Sequence, residues 1–148
     1  MTDDCEPDSF NAAIGPGTCV GNGTTTFGQF IQQLVSTGNA PEWRFDPVDV
    51  GLRAGRGLLV HNTGGEFHTY TDVAAFGGGC IAALNDILGL TPVPECEPEV
   101  APGVPLAFVT TGANAGESVE LPGLAPGTHL FMCLIHPWMR STVRVRPR

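Results

Sequence analysis

From Trp43 to the C-terminus the chain is written in short apolar runs, each closed within a few residues by glycine, proline or asparagine. Val48, Val50 and Leu52 alternate with polar or small residues, and Ala54-Gly55-Arg56-Gly57 turns the chain into Leu58-Leu59-Val60-His61. Asn62-Thr63-Gly64-Gly65 turns it again, into Phe67-His68-Thr69-Tyr70-Thr71, so the segment reads as a hairpin with His68 just past its turn. Strand signals resume at Leu106–Val109, Ser118–Leu121, Thr128–Cys133 and Thr142–Val145. Seven or so short strands with long connections predict an all-β fold, a Greek-key β-sandwich. The 20 glycines, 13 prolines and only 15% charged residues agree, since they favour turns over exposed helix.

Two segments depart from this pattern. Before Ala40, Phe27, Phe30, Ile31, Leu34 and Val35 recur at helical spacing, with Thr24, Thr25 or Thr26 as N-cap and Gly38 as the stop. Between Val73 and Gly103, Gly77-Gly78-Gly79 precedes a helix predicted over Cys80–Leu88 with Gly89 as its C-cap, after which Pro92, Pro94 and Pro98 hold the chain extended. One or two short helices are therefore expected. The organisation predicted is one domain over residues 1–148: an N-terminal extension over 1–40, its short helix packed against a β-sandwich over 41–148, with a loop excursion at 73–103. A chain of 148 residues buries enough apolar surface to fold without a partner, and a monomer is expected.

The net charge of −8 includes seven basic residues, all arginine. Nucleic-acid binding is excluded for the body of the chain, because phosphate neutralisation needs clustered cations. Arg140, Arg144, Arg146 and Arg148 do stand close together, but Arg144 and Arg146 alternate with Val143 and Val145, as in a strand with one wet face. No segment approaches the ~20 consecutive apolar residues of a membrane span.

Of the five cysteines, Cys5 and Cys19, and Cys80 and Cys96, form two local pairs, each bracketing a segment with glycine and proline. Of three connectivities open to four cysteines, Cys5–Cys19 with Cys80–Cys96 is favoured. Disulfides persist outside the reducing cytoplasm, so a periplasmic or extracellular location is expected. The Met1-Thr2-Asp3-Asp4 start has neither the basic nor the apolar part of an export signal, and Met1 reads as a residue placed ahead of a mature chain. Cys133 is left unpaired, and a bound metal would hold it as a thiolate.

Cys133, His136 and Met139 lie close together near the C-terminus, and His68 supplies a second imidazole. A thiolate, two imidazoles and a thioether are the donors of a blue-copper site, two His and one Cys in a plane and Met at longer range. Each residue alone has a blander role: a surface or core histidine, a buried thiol, a core methionine. Their combination at this spacing favours one metal site.

The run Pro126-Gly127-Thr128-His129-Leu130-Phe131-Met132-Cys133-Leu134-Ile135-His136-Pro137-Trp138-Met139 resembles the cupredoxins, small blue-copper proteins of the plastocyanin, pseudoazurin and amicyanin type. The Cys-x-x-His-x-x-Met loop with Pro after His is most similar to that of amicyanin, and the resemblance spans Trp43 to Arg148 without the Val73–Gly103 excursion. It implies a cupredoxin-like sandwich in which His68, Cys133, His136 and Met139 hold one type 1 copper ion. It also implies a one-electron carrier rather than an enzyme. Electrons would pass through the edge of His136, with Pro137 and Trp138 as an apolar patch and Arg140 on its rim, where a transient redox partner docks near His136/Trp138. Copper storage or delivery is the alternative with the same donors. The additional copper sites of multicopper oxidases need more than the four histidines present. His61 and His129 read as structural. Thr69 stands where relatives often carry Asn, so its hydroxyl or backbone would take over a bond to the Cys loop. Ile135, where relatives often carry Pro, offers an N–H that would reach the Cys133 sulfur and raise the reduction potential.

Overall fold

A computed structural model describes the chain from Met1 to Arg148. The strands are β1 (Asp49–Arg53), β2 (Leu58–His61), β3 (His68–Thr69), β4 (Thr71–Val73), β5 (Glu99–Ala101), β6 (Val104–Pro105), β7 (Gly112–Ala113), β8 (Ser118–Leu121), β9 (Gly127–Met132) and β10 (Arg140–Arg146). They form a four-stranded sheet in the order β1-β10-β9-β4 and three two-stranded pairs, β2-β8, β3-β7 and β5-β6. β1 runs parallel to β10, and the other pairs are antiparallel.

Period-two patterning packs the larger sheet against the β2-β8 pair. Val143 and Val145 of β10, Phe131 of β9 and Val119 of β8 are buried in one cluster, against which Val50 and Leu52 of β1 and Leu58 and Val60 of β2 pack. Arg144 and Arg146 stay exposed, as their alternation requires. The result is a β-sandwich with short helices.

The chain from His68 to Val73 is not the second arm of a hairpin. β2 pairs with β8, while β3 pairs with β7 and, after Tyr70, β4 pairs with β9. Turn residues alone specify a reversal, but not which neighbour the next strand joins. This switch sets the site: Thr71 lies opposite Met132, so His68 and Thr69 fall beside the end of β9.

Four α-helices are present where one or two were expected: α1 (Pro7–Ala13), α2 (Phe27–Thr37), α3 (Ala82–Leu88) and α4 (Leu106–Thr110). Thr26 and Gln29 close a capping box at the start of α2, and Gly38 ends it in the left-handed conformation at φ 69°. Gly89 ends α3 in the same way at φ 64°. The Leu106–Val109 run, apolar and expected as a strand, is α4: a continuous apolar run carries no period by which to tell the two apart. The Pro94–Cys96 stretch is a 3₁₀ turn.

Residues before Ala40 share the core of the sandwich. Met1, Cys5, Phe10, Cys19, Phe30, Leu34 and Ala40 belong to the same buried cluster as Trp43, Phe131 and Cys133. The Cys5–Cys19 disulfide ties this segment, and Cys80–Cys96 ties the excursion. The excursion covers the other face of β9, where Met132 and Leu134 pack with Val73, Val93 and Ala107. The end of β9 and the two residues after it, Phe131 to Leu134, are thus buried on both sides, which explains the unbroken apolar run there.

Candidate metal centre

β9 delivers Cys133 to the core, and the loop that follows returns on itself through backbone bonds from Cys133 N–H to Met139 O (3.1 Å) and from Met139 N–H to His136 O (2.9 Å). His68 arrives from β3. Its Nδ1 lies 3.2 Å from Nδ1 of His136, and the Cys133 sulfur lies 3.9 and 3.8 Å from those nitrogens. His68, Cys133 and Met139 have 0% exposure and His136 3%. Met139 shares the buried cluster of Cys133. His61 and His129 are elsewhere: His61 meets Ser118, and His129 bonds Asp72 and the Ala125 carbonyl.

The three atoms fit a cation. Bonds of about 2.0–2.1 Å to nitrogen and about 2.3 Å to sulfur at trigonal angles give roughly 3.5 Å between nitrogens and roughly 3.8 Å from nitrogen to sulfur. The sulfur distances agree, and the shorter nitrogen separation corresponds to a modestly closed angle. The chemistry agrees as well, because a soft thiolate, two imidazoles and a thioether suit copper. Without an ion, burial works against a Cys133 thiolate, yet its hydrogen bonds to His136 and His68 outweigh burial and hold the thiol well below its ordinary pKa. Burial likewise opposes the His68 cation, but bonding to Asp3 and Cys133 carries its pKa up to about 9.

The sulfur accepts one backbone hydrogen bond, from Thr69 N–H at 3.4 Å. Ile135 does not make the bond expected of it; the adjacent strand, not the loop, presents an amide to the sulfur. The Thr69 hydroxyl also accepts from Leu134 N–H at 2.8 Å, so hydroxyl and backbone both tie His68's strand to the Cys loop.

Sequence reasoning missed two carboxylates. Asp3 Oδ2 accepts from His68 Nε2 at 2.8 Å, and Glu66 Oε2 stands 3.7 Å from His136 Nε2 while accepting the Trp43 indole N–H. Asp3 is held at a pKa of about 2, because its bonds to His68 and to backbone amides exceed the effect of burial; Glu66 is raised, chiefly by burial. Glu66 sits two places before His68, a signal available in the sequence; Asp3 gave none. Asp3, Cys5 and Glu66 also converge, but Cys5 is disulfide-bonded and offers no thiolate, so this group is the outer layer of the same centre.

His136 is not open at its edge. Phe30 of α2 stands edge-on to it at 6.2 Å and Trp138 at 5.4 Å. Pro137 is fully buried and Trp138 donates its indole N–H to Ala40 O at 3.1 Å, so the expected Pro137/Trp138 docking patch is packed against the N-terminal segment. Arg140 likewise turns inward, donating to Pro137 O at 2.8 Å. His136 instead lines a groove of about 620 Å³ together with Phe10, Phe27 and Phe30 and with Ile81, Leu84 and Ile87.

No protein-family model matches the chain, and no curated protein matches it. Solved structures similar to it include a purple cupredoxin from Nitrosopumilus maritimus, 16% identical over 76% of this chain and 90% of that one, with a TM-score of 0.47. A reduced amicyanin variant is 16% identical over 72% of this chain and 77% of its own, at TM-score 0.44. Auracyanin A, a "blue" copper protein from Chloroflexus aurantiacus, is 21% identical over 73% and 93%, at TM-score 0.42. No helix is long and apolar enough to cross a membrane.

Proposed function

We propose that the chain is a cupredoxin-class protein in which His68, Cys133, His136 and Met139 hold one type 1 copper ion, and that it carries single electrons. The convergence of two imidazole nitrogens and one thiol sulfur within 4.8 Å of one another carries this reading. Copper bound there would supply a Cu(II)/Cu(I) couple. The protein's part is to hold the donors: β3 and the loop after β9 are joined through Thr69, and the hydrophobic surroundings exclude water. Rigid donors change little between oxidation states, which favours fast transfer. Burial of all four side chains favours a carrier over a delivery protein, whose ion must leave on a useful timescale.

Two disulfides support residence in the periplasm or outside the cell. A transient redox partner meets the protein near His136, by way of the apolar groove that His136 lines. Addition of Cu(II) should produce an intense visible thiolate-to-copper band, absent in Cys133→Ser. A colourless protein, or a band surviving in that variant, overturns the assignment. Rapid loss of Cu(I) to a chelator combined with slow redox turnover would instead establish delivery.

A further inference from the structure

We propose that Asp3 is a positioning residue of the metal centre, a carboxylate brought in by the N-terminal segment to fix the tautomer of His68 and strengthen its Nδ1 as a donor. This rests on the reading of the centre just given.

The geometry is specific. Neutral imidazole carries one N–H and one lone pair, and which nitrogen holds the proton follows from the partner of the other. Asp3 Oδ2 lies 2.8 Å from His68 Nε2, and the two side chains are 1% and 0% exposed. Donation from Nε2–H to the carboxylate leaves the Nδ1 lone pair facing Cys133 and His136. Negative charge against the N–H increases the basicity of the imidazole, an effect favouring the more highly charged metal ion.

Asp3 is itself fixed. Its Oδ1 accepts from Cys5 N–H at 3.2 Å and Gly65 N–H at 3.0 Å, and Oδ2 accepts from Glu66 N–H at 3.1 Å. Flanking bridges from Thr2 to Arg44 and Cys5 to Thr25, with the Cys5–Cys19 disulfide, hold the segment on the sandwich. Gly64 permits the approach: a Cβ there would stand 2.0 Å from Asp3 Oδ2 and 2.8 Å from Asp3 N. His136 has no equal support, since Glu66 is 3.7 Å from its Nε2, beyond a hydrogen bond. The two imidazoles are therefore held unequally, and the stronger hold comes from a residue 65 positions from the one it serves.

The test compares the unaltered protein with Asp3→Asn, Asp3→Glu and Gly64→Ala, measuring Cu(II) affinity by chelator competition, reduction potential and the visible band. Asp3→Asn should lose roughly tenfold in Cu(II) affinity, the lower end for an outer hydrogen-bond partner. With Cu(I) affinity unchanged, that tenfold corresponds to a potential higher by about 59 mV for a one-electron couple. Asp3→Glu, which keeps the charge, should recover most of the loss, and Gly64→Ala, which displaces the carboxylate without removing it, should resemble Asp3→Asn. Equal affinity and potential in Asp3→Asn and the parent overturn the proposal, as does an Asp3→Glu protein as impaired as Asp3→Asn. A change in melting temperature alone, with the potential unmoved, assigns Asp3 a purely structural part and also overturns it. If the unaltered protein bound no Cu(II), the assignment of the centre would fail and this one with it; binding with an indifferent Asp3→Asn removes this one alone.

Discussion

Thr69 joins the two halves of the centre through two different atoms. Its amide reaches the Cys133 sulfur at 3.4 Å, and its hydroxyl takes the Leu134 N–H at 2.8 Å; neither needs the side chain of Asn. Thr69→Ala separates them. The sulfur keeps its amide, so the visible band should persist, while Leu134 N–H loses its partner in a fully buried place. The loss of stability should be about 1–3 kcal/mol, the cost of an unsatisfied buried donor. Chemical denaturation of the copper-free variant, beside a spectrum of the loaded one, checks both halves. At this scale the side chains were legible in part. Cys133, His136 and Met139 announce themselves because one short loop needs no long-range information to bring them together. The amide on the sulfur did not: Ile135 is within the loop in sequence, but Thr69 reaches the sulfur from the adjacent strand.

Among the elements, α2 matters most to the centre. Its end at Gly38 and a start within Thr24–Thr26 were legible, because capping is local chemistry; the Thr26–Gln29 capping box in the structure fixes which threonine it is. What its apolar face covers is not local. Phe30 packs against Trp43 at 4.7 Å and Trp138 at 5.8 Å while standing over His136. Phe30→Ala should cost about 3–5 kcal/mol in stability, as large buried aromatic truncations do. It should also expose the His136 edge and speed reduction by a small hydrophilic reductant in stopped-flow measurements. A slower or unchanged rate would show that α2 does not limit access. The hairpin expected at Asn62–Gly65 failed for a related reason. A turn sequence reverses the chain, whereas strand partners are chosen by the faces that must be buried, and β3 finds its partner in β7.

At the scale of the molecule the N-terminal segment and sandwich share one core, and Asp4 helps to join the segment to itself. Its carboxylate accepts from the Thr25 hydroxyl and from the Thr24 hydroxyl and amide, which hold its pKa below the ordinary value of 3.8. A depressed carboxylate contributes stability that is complete above its unfolded pKa and is lost as pH falls through the folded value. Melting temperature should therefore fall less steeply below pH 3.8 in Asp4→Ala than in the parent, with the parent the more stable near neutrality. Parallel acid limbs would show that Asp4 titrates alike in both states.

The sequence by itself determined what is encoded at short range: the period-two strands, the glycines that end α2 and α3, the favoured pairing of the four disulfide cysteines and the loop bearing a thiol, an imidazole and a thioether. The tertiary structure decided which strands pair, that an apolar run became α4, that His136 lies beneath Phe30, and that Asp3 meets His68. The difference is physical. Local rules act through neighbours along the backbone, whereas burial and hydrogen-bond satisfaction act between surfaces distant in the chain, and only the packed whole brings those surfaces together.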